Sequence, residues 1–319
     1  MKKICTIYSN CQGNPLKSIM ETQPSFAAEY DIEHFMITDM FMSLSLQYES
    51  FITRLKKTDL FIYQKIRSDS MTVDRYEKEG FIPSAIKPTF YTDYIISQLL
   101  PDTCKLISFP NLYFEGYHVD NFTVHEQWKS VVKFPSGNKT IKTLIEQSSK
   151  KLGESDIDLI IEHLNSPDLF TPLEIDTKCT ESIKKLQKKE SDCDVKIADL
   201  ILENFKKYYL FYTPNHPSKF ILRDVVGKML IIAGHEFDPS LVFDIDWFNH
   251  SQIPIYPCVI NHYQLNFWGD QEPMYNIRIG SSRNVTWNRC YRVTHDDYWT
   301  LFIAIVFNDC ICKEHSFRT

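Results

Sequence analysis

Apolar and polar positions alternate over Lys3–Tyr8, and this β-rich run predicts a first strand. A polar break follows, Ser9-Asn10-Cys11-Gln12-Gly13-Asn14. Pro15 then falls in the first turn of a helix, where its missing N–H costs nothing, and Leu16–Glu21 continues that helix. A second strand is expected at Glu29–Phe35, and Gln47–Lys57 places Phe51, Ile52 and Leu55 on one helical face. Asp59–Gln64 and Cys104–Phe109 are short apolar runs of the kind that form fully buried parallel strands. Tyr91–Leu100 between them reads as a helix stopped by Pro101. Strands and helices alternating in this way imply βαβ units: an α/β fold, a mostly parallel sheet with helices on both faces.

The middle of the chain changes period. Ile141–Lys150, Ser155–Asn165, Asp176–Lys189 and Val195–Lys207 all carry helical periodicity, which predicts a helical insertion. Tyr208–Tyr212 reads as a last strand of the sheet, and Ser218–Ala233 as an amphipathic helix. The last eighty or so residues are aromatic and mixed, and their pattern does not divide cleanly. With no repeat or linker, the expectation is one elaborated domain over residues 1–319. Its core would be 1–135 and 208–319, with the insertion at 136–207.

Composition removes several classes of function. Hydrophobic residues at 43% and charged residues at 24% fit an ordered globular chain. A net charge of −6 weighs against a nucleic-acid partner. The one dense basic run, Lys184, Lys185, Lys188 and Lys189, has helical spacing and reads as a solvated helix face. The 9 glycines form neither a dinucleotide-binding fingerprint nor a P-loop, so a phosphate-bearing ligand would have to be held by cations or a helix N-terminus. Nine cysteines, an odd number without an export signal, predict free thiols and a cytoplasmic protein. No apolar run reaches the ~20 residues of a membrane span. No metal site is expected: Cys310, Cys312 and His315 lack zinc-like spacing, and His125-Glu126 and His235-Glu236 lack a second histidine.

Two loops carry candidate chemistry. The first, Ser9–Asn14, leaves the end of a strand and enters a helix, the usual place for a ligand in an open α/β sheet. A helix N-terminus there would make Cys11 more reactive than a core cysteine, and Asn10 and Gln12 flank it with amide donors. A buried thiol and ordinary turn amides account for the same residues. In the second loop, Pro214 and Pro217 stiffen the chain around His216, a candidate general base or a structural histidine.

The two loops together resemble a known family. IYSNCQGNPL at Ile7–Leu16 is similar to the N-terminal signature of the WcbI-type polysaccharide-biosynthesis proteins. DLFIYQKIR at Asp59–Arg67, FPNLYFEGYH at Phe109–His118, FYTPNHPS at Phe211–Ser218 and PIYPCVINHY at Pro254–Tyr263 follow in the expected order. The resemblance implies acetyl-coenzyme A as donor, a sugar, nucleotide-sugar or glycan as acceptor, and Cys11 and His216 as the catalytic pair. A looser similarity to SGNH/GDSL-type esterases sets Ser9-Asn10-Cys11 against their Gly-Asp-Ser loop and Thr213–His216 against their Asp-x-x-His. Thr213 replaces the aspartate, so orientation of His216 must come from Thr213, Asn215 or a backbone carbonyl. Gln64 and Asn111, at later strand ends, are further candidate oxyanion or substrate donors. Lys65, Arg67, Arg75, Lys219 and Arg223 are the cations expected at the ligand side, any of which reads equally as a solvated surface charge.

Acetyl transfer from coenzyme A to a glycan hydroxyl or amine is thus the leading expectation. A carbohydrate esterase or deacetylase on the same scaffold is the alternative within enzymes. A non-catalytic glycan-binding protein, using its 14% aromatic residues as stacking surfaces, is the alternative outside them.

Overall fold

The four apolar runs near the N-terminus pair into one parallel sheet in the computed structural model. The structure describes residues 2–42, 44–68, 71–122, 137–138, 154–279 and 289–307. The helix expected over 141–150, together with Cys310, Cys312, His315 and His125-Glu126, lies outside the described residues. The chain forms two compact units. One is Met1–Leu112, Lys185–Asp199 and Lys219–Ile245; the other is Tyr113–Lys184, Leu200–Ser218 and Asp246–Thr319.

The first unit holds the sheet. Strands β1 (Lys3–Ser9), β2 (Tyr30–Met36), β3 (Leu60–Gln64) and β4 (Lys105–Phe109) run parallel in the order β2-β1-β3-β4. Every residue of β3 is buried, which is why Asp59–Gln64 reads as an unbroken apolar run rather than an alternation. Register sets Tyr8 beside Phe35 and Tyr63 on one face of the sheet. Phe51 and Leu55 of the helix Leu44–Leu55 close that face. The other face carries Ile7, Ile62 and Ile107 in register. Helix α1 (Gly13–Glu21) and the helix Lys219–Ala233 cover it. Helices on both faces of a parallel sheet are the architecture that the alternating pattern predicts.

One long-range tie docks the segment after helix Pro172–Glu190 onto this sheet, and one local tie shapes it. Asp194 accepts from the backbone N–H (2.7 Å) and the hydroxyl (2.6 Å) of Ser108 in β4. The buried Glu190 carboxylate accepts from the N–H groups of Ile197 and Ala198, capping the helix Ala198–Asn204.

In the second unit, Tyr117 sits fully buried and donates its hydroxyl to Phe205 O, with its ring edge-on to Phe114 and Phe267. Glu154–Leu164 is helical, and so is the stretch of Pro172–Glu190 that this unit contains, as the middle of the chain predicts. The expected strand Tyr208–Tyr212 needs correction. Phe211–Thr213 is the strand, and it pairs antiparallel with His216–Pro217 in a two-stranded ladder rather than joining the parallel sheet. The chain reverses at Pro214-Asn215, so the apolar run finds its partner within the next few residues, pairing Phe211 with Pro217 and Thr213 with His216. The unresolved C-terminal pattern becomes an antiparallel pair, Tyr275–Ile279 with Arg289–Val293, followed by the helix His295–Phe307.

Candidate functional site

In this strand order the chain leaves β1 toward β2 on one side and leaves β3 toward β4 on the other. The carboxyl ends of β1 and β3 therefore flank the point where the connections diverge, the place where open α/β sheets hold ligands. Carboxamides fill it. Asn10 N donates to Gln64 Oε1 (3.0 Å) across the divide, and Asn10 Nδ2 donates to Asn111 Oδ1 (3.0 Å). Asn10 Oδ1 accepts from Gln12 N (3.0 Å), an Asx-type turn that starts α1.

Gln12 and Gln64 are buried beneath this turn. Gln12 bridges the backbone of Leu112, donating to its carbonyl (2.8 Å) and accepting from its N–H (3.1 Å), and it also accepts from Gln64 Nε2 (2.9 Å). Sequence reasoning brings Asn10, Gln12, Gln64 and Asn111 to this site, and the structure joins all four in one network. Their parts differ: Gln12 is committed to holding three strand ends together, whereas Asn111 Nδ2 has no partner among the described residues.

Cys11 sits at the apex of the turn, half-buried. Behind it lies a histidine that the sequence did not single out. His34 Nε2 is 3.0 Å from Ser9 Oγ, and Nδ1 is 2.8 Å from Asn14 Oδ1. A carboxamide oxygen only accepts, so Nδ1 carries the proton, and the one proton of the Ser9 hydroxyl is shared between Nε2 and the Asn10 carbonyl at 3.1 Å. Burial pushes the ring down to about 4, which keeps it neutral. Gly13 passes so close that a Cβ there would lie 2.3 Å from the ring and 2.3 Å from Ser9 Oγ. The one signal in the sequence was the glycine itself, in a chain that has so few.

From Asn10, Gln64 and Asn111 a cavity of about 690 Å³ opens, within the ordinary range for small-molecule sites. Lys65, Arg67, Lys185, Lys188 and Lys189 line it. Lys65 and Arg67 reach Asp192, at 2.8 and 3.1 Å, and the hydrogen bond from Lys65 holds this carboxyl below the usual range. The lysine run read as a solvated face therefore contributes three residues to the cavity. Positions 185, 188 and 189 lie on one side of their helix, opposite the buried Ile183 and Leu186. Lys219 and Arg223 are not in this lining; both reach the exposed Asp244. Arg75 pairs with Glu79 at 2.7 Å.

Asn215 and His216 belong to the second unit. Thr213 donates to Asn215 Oδ1 (3.1 Å) and not to the histidine, so neither side chain expected to orient His216 does so. The ring is instead stacked on Phe248, 4.7 Å away and within 2° of parallel. Its Nδ1 is buried without a hydrogen-bond partner, and burial, aided by His250, lowers its pKa to about 4. His118 is still more enclosed, lowered to about 3 by burial and then by Lys178.

These histidines set an acid limit on stability. Each folded pKa lies below the unfolded value of about 6.5, so His34, His118 and His216 are neutral in the fold. As pH falls through 6.5 the unfolded chain takes up protons that the folded chain refuses. Stability is whole above pH 6.5 and drains away down to about pH 4. The loss is about 1.4 kcal/mol per pH unit for each histidine. Urea midpoints should therefore fall steeply between pH 7 and pH 5, above the range where carboxylates titrate, and the fall should shrink in His118→Gln. A flat profile over that interval would contradict the buried neutral rings.

Among the described residues no group of three or more His, Cys, Asp or Glu could hold a metal ion, and no helix is long and apolar enough to cross a membrane. A family model described as polysaccharide biosynthesis enzyme WcbI matches residues 4–237. A solved structure of a WcbI polysaccharide biosynthesis enzyme matches with a TM-score of 0.63 at 15% identity, covering 98% of this chain and 96% of the other. That protein is described as the native form without a disulfide bond between coenzyme A and one of its cysteines. No curated protein matches the chain significantly.

Proposed function

The chain belongs to the WcbI polysaccharide biosynthesis enzyme family, and on that premise we propose that it moves an acetyl group from acetyl-coenzyme A to a sugar hydroxyl or amine of a polysaccharide or other glycan. The observation that carries this reading is the cavity at the β1/β3 divide. The carboxamides of Asn10, Gln64 and Asn111 and five basic side chains line it, and Cys11 follows Asn10 in the chain without itself being in that lining. A thioester carbonyl needs donors where its oxygen becomes negative, and Asn111 Nδ2 with the second Nδ2 proton of Asn10 supply that chemistry. The phosphates of a coenzyme A ester need cations, and Lys65, Arg67, Lys185, Lys188 and Lys189 supply those.

Two routes use the same groups. In a relay, Cys11 sulfur bonds to the acetyl carbon as the bond to the coenzyme A sulfur breaks, and the cysteine proton leaves with that sulfur. The acceptor oxygen or nitrogen then takes the acetyl group from Cys11 and gives its proton to a base. In direct transfer, the acceptor attacks acetyl-coenzyme A itself and Cys11 only contacts the carbonyl. The Asn-His-Pro element implies His216 as the base, and its neutral ring is in the form that accepts a proton.

The test is calorimetric titration with coenzyme A and acetyl-coenzyme A, followed by assay of acetyl transfer to a panel of nucleotide sugars and glycans. Micromolar or tighter binding with acceptor-dependent release of coenzyme A is expected. Acetate release without an acceptor would support the esterase reading instead, and glycan binding without coenzyme A affinity the non-catalytic one.

A further inference from the structure

Lys65 and Arg67 follow the end of β3 and line the cavity, and both already hold an anion. Lys65 Nζ lies 2.8 Å from Asp192 Oδ2 and also donates to the Asp192 carbonyl. Arg67 Nη2 lies 3.1 Å from the same carboxyl oxygen. Asp192 itself is not among the residues that line the cavity. Two cations of the wall are therefore paired with a carboxylate that the cavity does not include. That carboxylate stands on a short turn fixed at both ends. Before it, the buried Glu190 accepts from the N–H groups of Ile197 and Ala198. After it, Asp194 accepts from the N–H and hydroxyl of Ser108 in β4. A turn held in this way does not follow the long, flexible side chains of Lys65 and Arg67. An anion that draws them into the cavity parts them from Asp192. The parting is cheap, because the Asp192 side chain is 45% exposed and returns to water, whereas a fully buried pair would be locked.

We propose that Asp192 is a built-in competitor of the ligand: it holds Lys65 and Arg67 until a phosphoryl group takes them over, and so sets how strongly an anion must bind to use them. A single carboxylate on an incoming molecule offers these cations nothing that Asp192 does not supply without the entropic cost of association. A phosphoryl group, with three acceptor oxygens and up to about two charges, does offer more. This rests on the function proposed above only for the molecule that carries the phosphoryl group. The probe is therefore inorganic, so that failure to bind coenzyme A and failure of this proposal are read separately.

The full-length protein is titrated with inorganic pyrophosphate in low salt, as the parent, as Asp192→Asn and as Glu79→Gln. The last removes the same charge from the Arg75 pair, which lies outside the cavity lining. Asp192→Asn should bind pyrophosphate about three- to tenfold more tightly than the parent, the range that two partly exposed ion pairs allow. Glu79→Gln should stay within about twofold of the parent. In a Lys65→Gln/Arg67→Gln background, Asp192→Asn should change little, because the groups it releases are gone. Asp192→Ser, read in the same way, guards against a folding defect peculiar to one variant. Equal or weaker binding by Asp192→Asn overturns the proposal, since the carboxylate would then be orienting the cations for the ligand rather than withholding them. An equal gain in Glu79→Gln overturns it as well, because net charge alone would account for the effect. So does a gain that persists without Lys65 and Arg67, and so does a failure of both parent and Asp192→Asn to bind pyrophosphate.

Discussion

Replacing Cys11 with alanine should remove acetyl transfer almost entirely if the reaction runs through the cysteine, by about 10³-fold or more, and should abolish the acetylated protein seen by intact mass. Direct transfer predicts the opposite pattern: activity within about tenfold and no acetylated species in either protein. His216→Ala reads the base. Loss of a general base ordinarily costs about 10²–10⁴-fold. A ring whose pKa is about 4 is fully deprotonated at pH 7 but is a weak base, which places the expected loss at the low end of that range. The same value predicts kcat/KM that is flat above about pH 5.5 and falls only as pH approaches 4. An acid limb at pH 6–7 that disappears in His216→Ala would show that the ring is not held as a buried neutral imidazole. Coenzyme A affinity should be nearly unchanged in His216→Ala, because the phosphate-binding cations named above lie elsewhere in the chain.

Much of the first unit could be read from sequence because its strands are buried on both faces. Leu60–Gln64 and Lys105–Phe109 announce themselves as short apolar runs, and the loop after β1 is marked by its polar break and by Pro15. The carboxamides at strand ends follow from that topology alone, since parallel strands bring their carboxyl ends to one edge. The lysines were harder. Helical spacing shows that 185, 188 and 189 share a face but not what the face meets, which depends on the Asp194–Ser108 tie across 86 residues of chain. Phe211–Thr213 was misplaced for a related reason. An apolar strand does not state its partner, and the local hairpin through Pro214-Asn215 closes before any distant pairing is needed. His34 carries no motif at all. It is visible only once the β1–β2 register sets it beside Ile7 and turns it toward Gly13.

That contact gives the largest loss of stability expected from a single substitution. Gly13→Ala inserts a Cβ 2.3 Å from the His34 ring and from Ser9 Oγ, far inside any tolerable separation. Either the ring turns away, losing its bonds to Ser9 and Asn14 at about 1 kcal/mol each, or the Asn10–Gly13 turn shifts at an overpacking cost of about 1–3 kcal/mol. Alanine returns at most about 1 kcal/mol as the better helix former at the start of α1. The net expectation is a loss of about 1–2 kcal/mol by urea denaturation, where Gly→Ala in an open first turn would be neutral or stabilising. Because the obstacle is one side chain, His34→Ala should relieve it. The double variant Gly13→Ala/His34→Ala should be more stable than the sum of the single losses predicts, by at least about 1 kcal/mol. Strict additivity, or a Gly13→Ala variant as stable as the parent, would mean that His34 does not press on this turn. Transfer activity gives a second reading of the same pair. If Gly13→Ala displaces the turn that presents Cys11, activity should fall with the stability and return in the double variant, because removing the ring lets the turn resume its position.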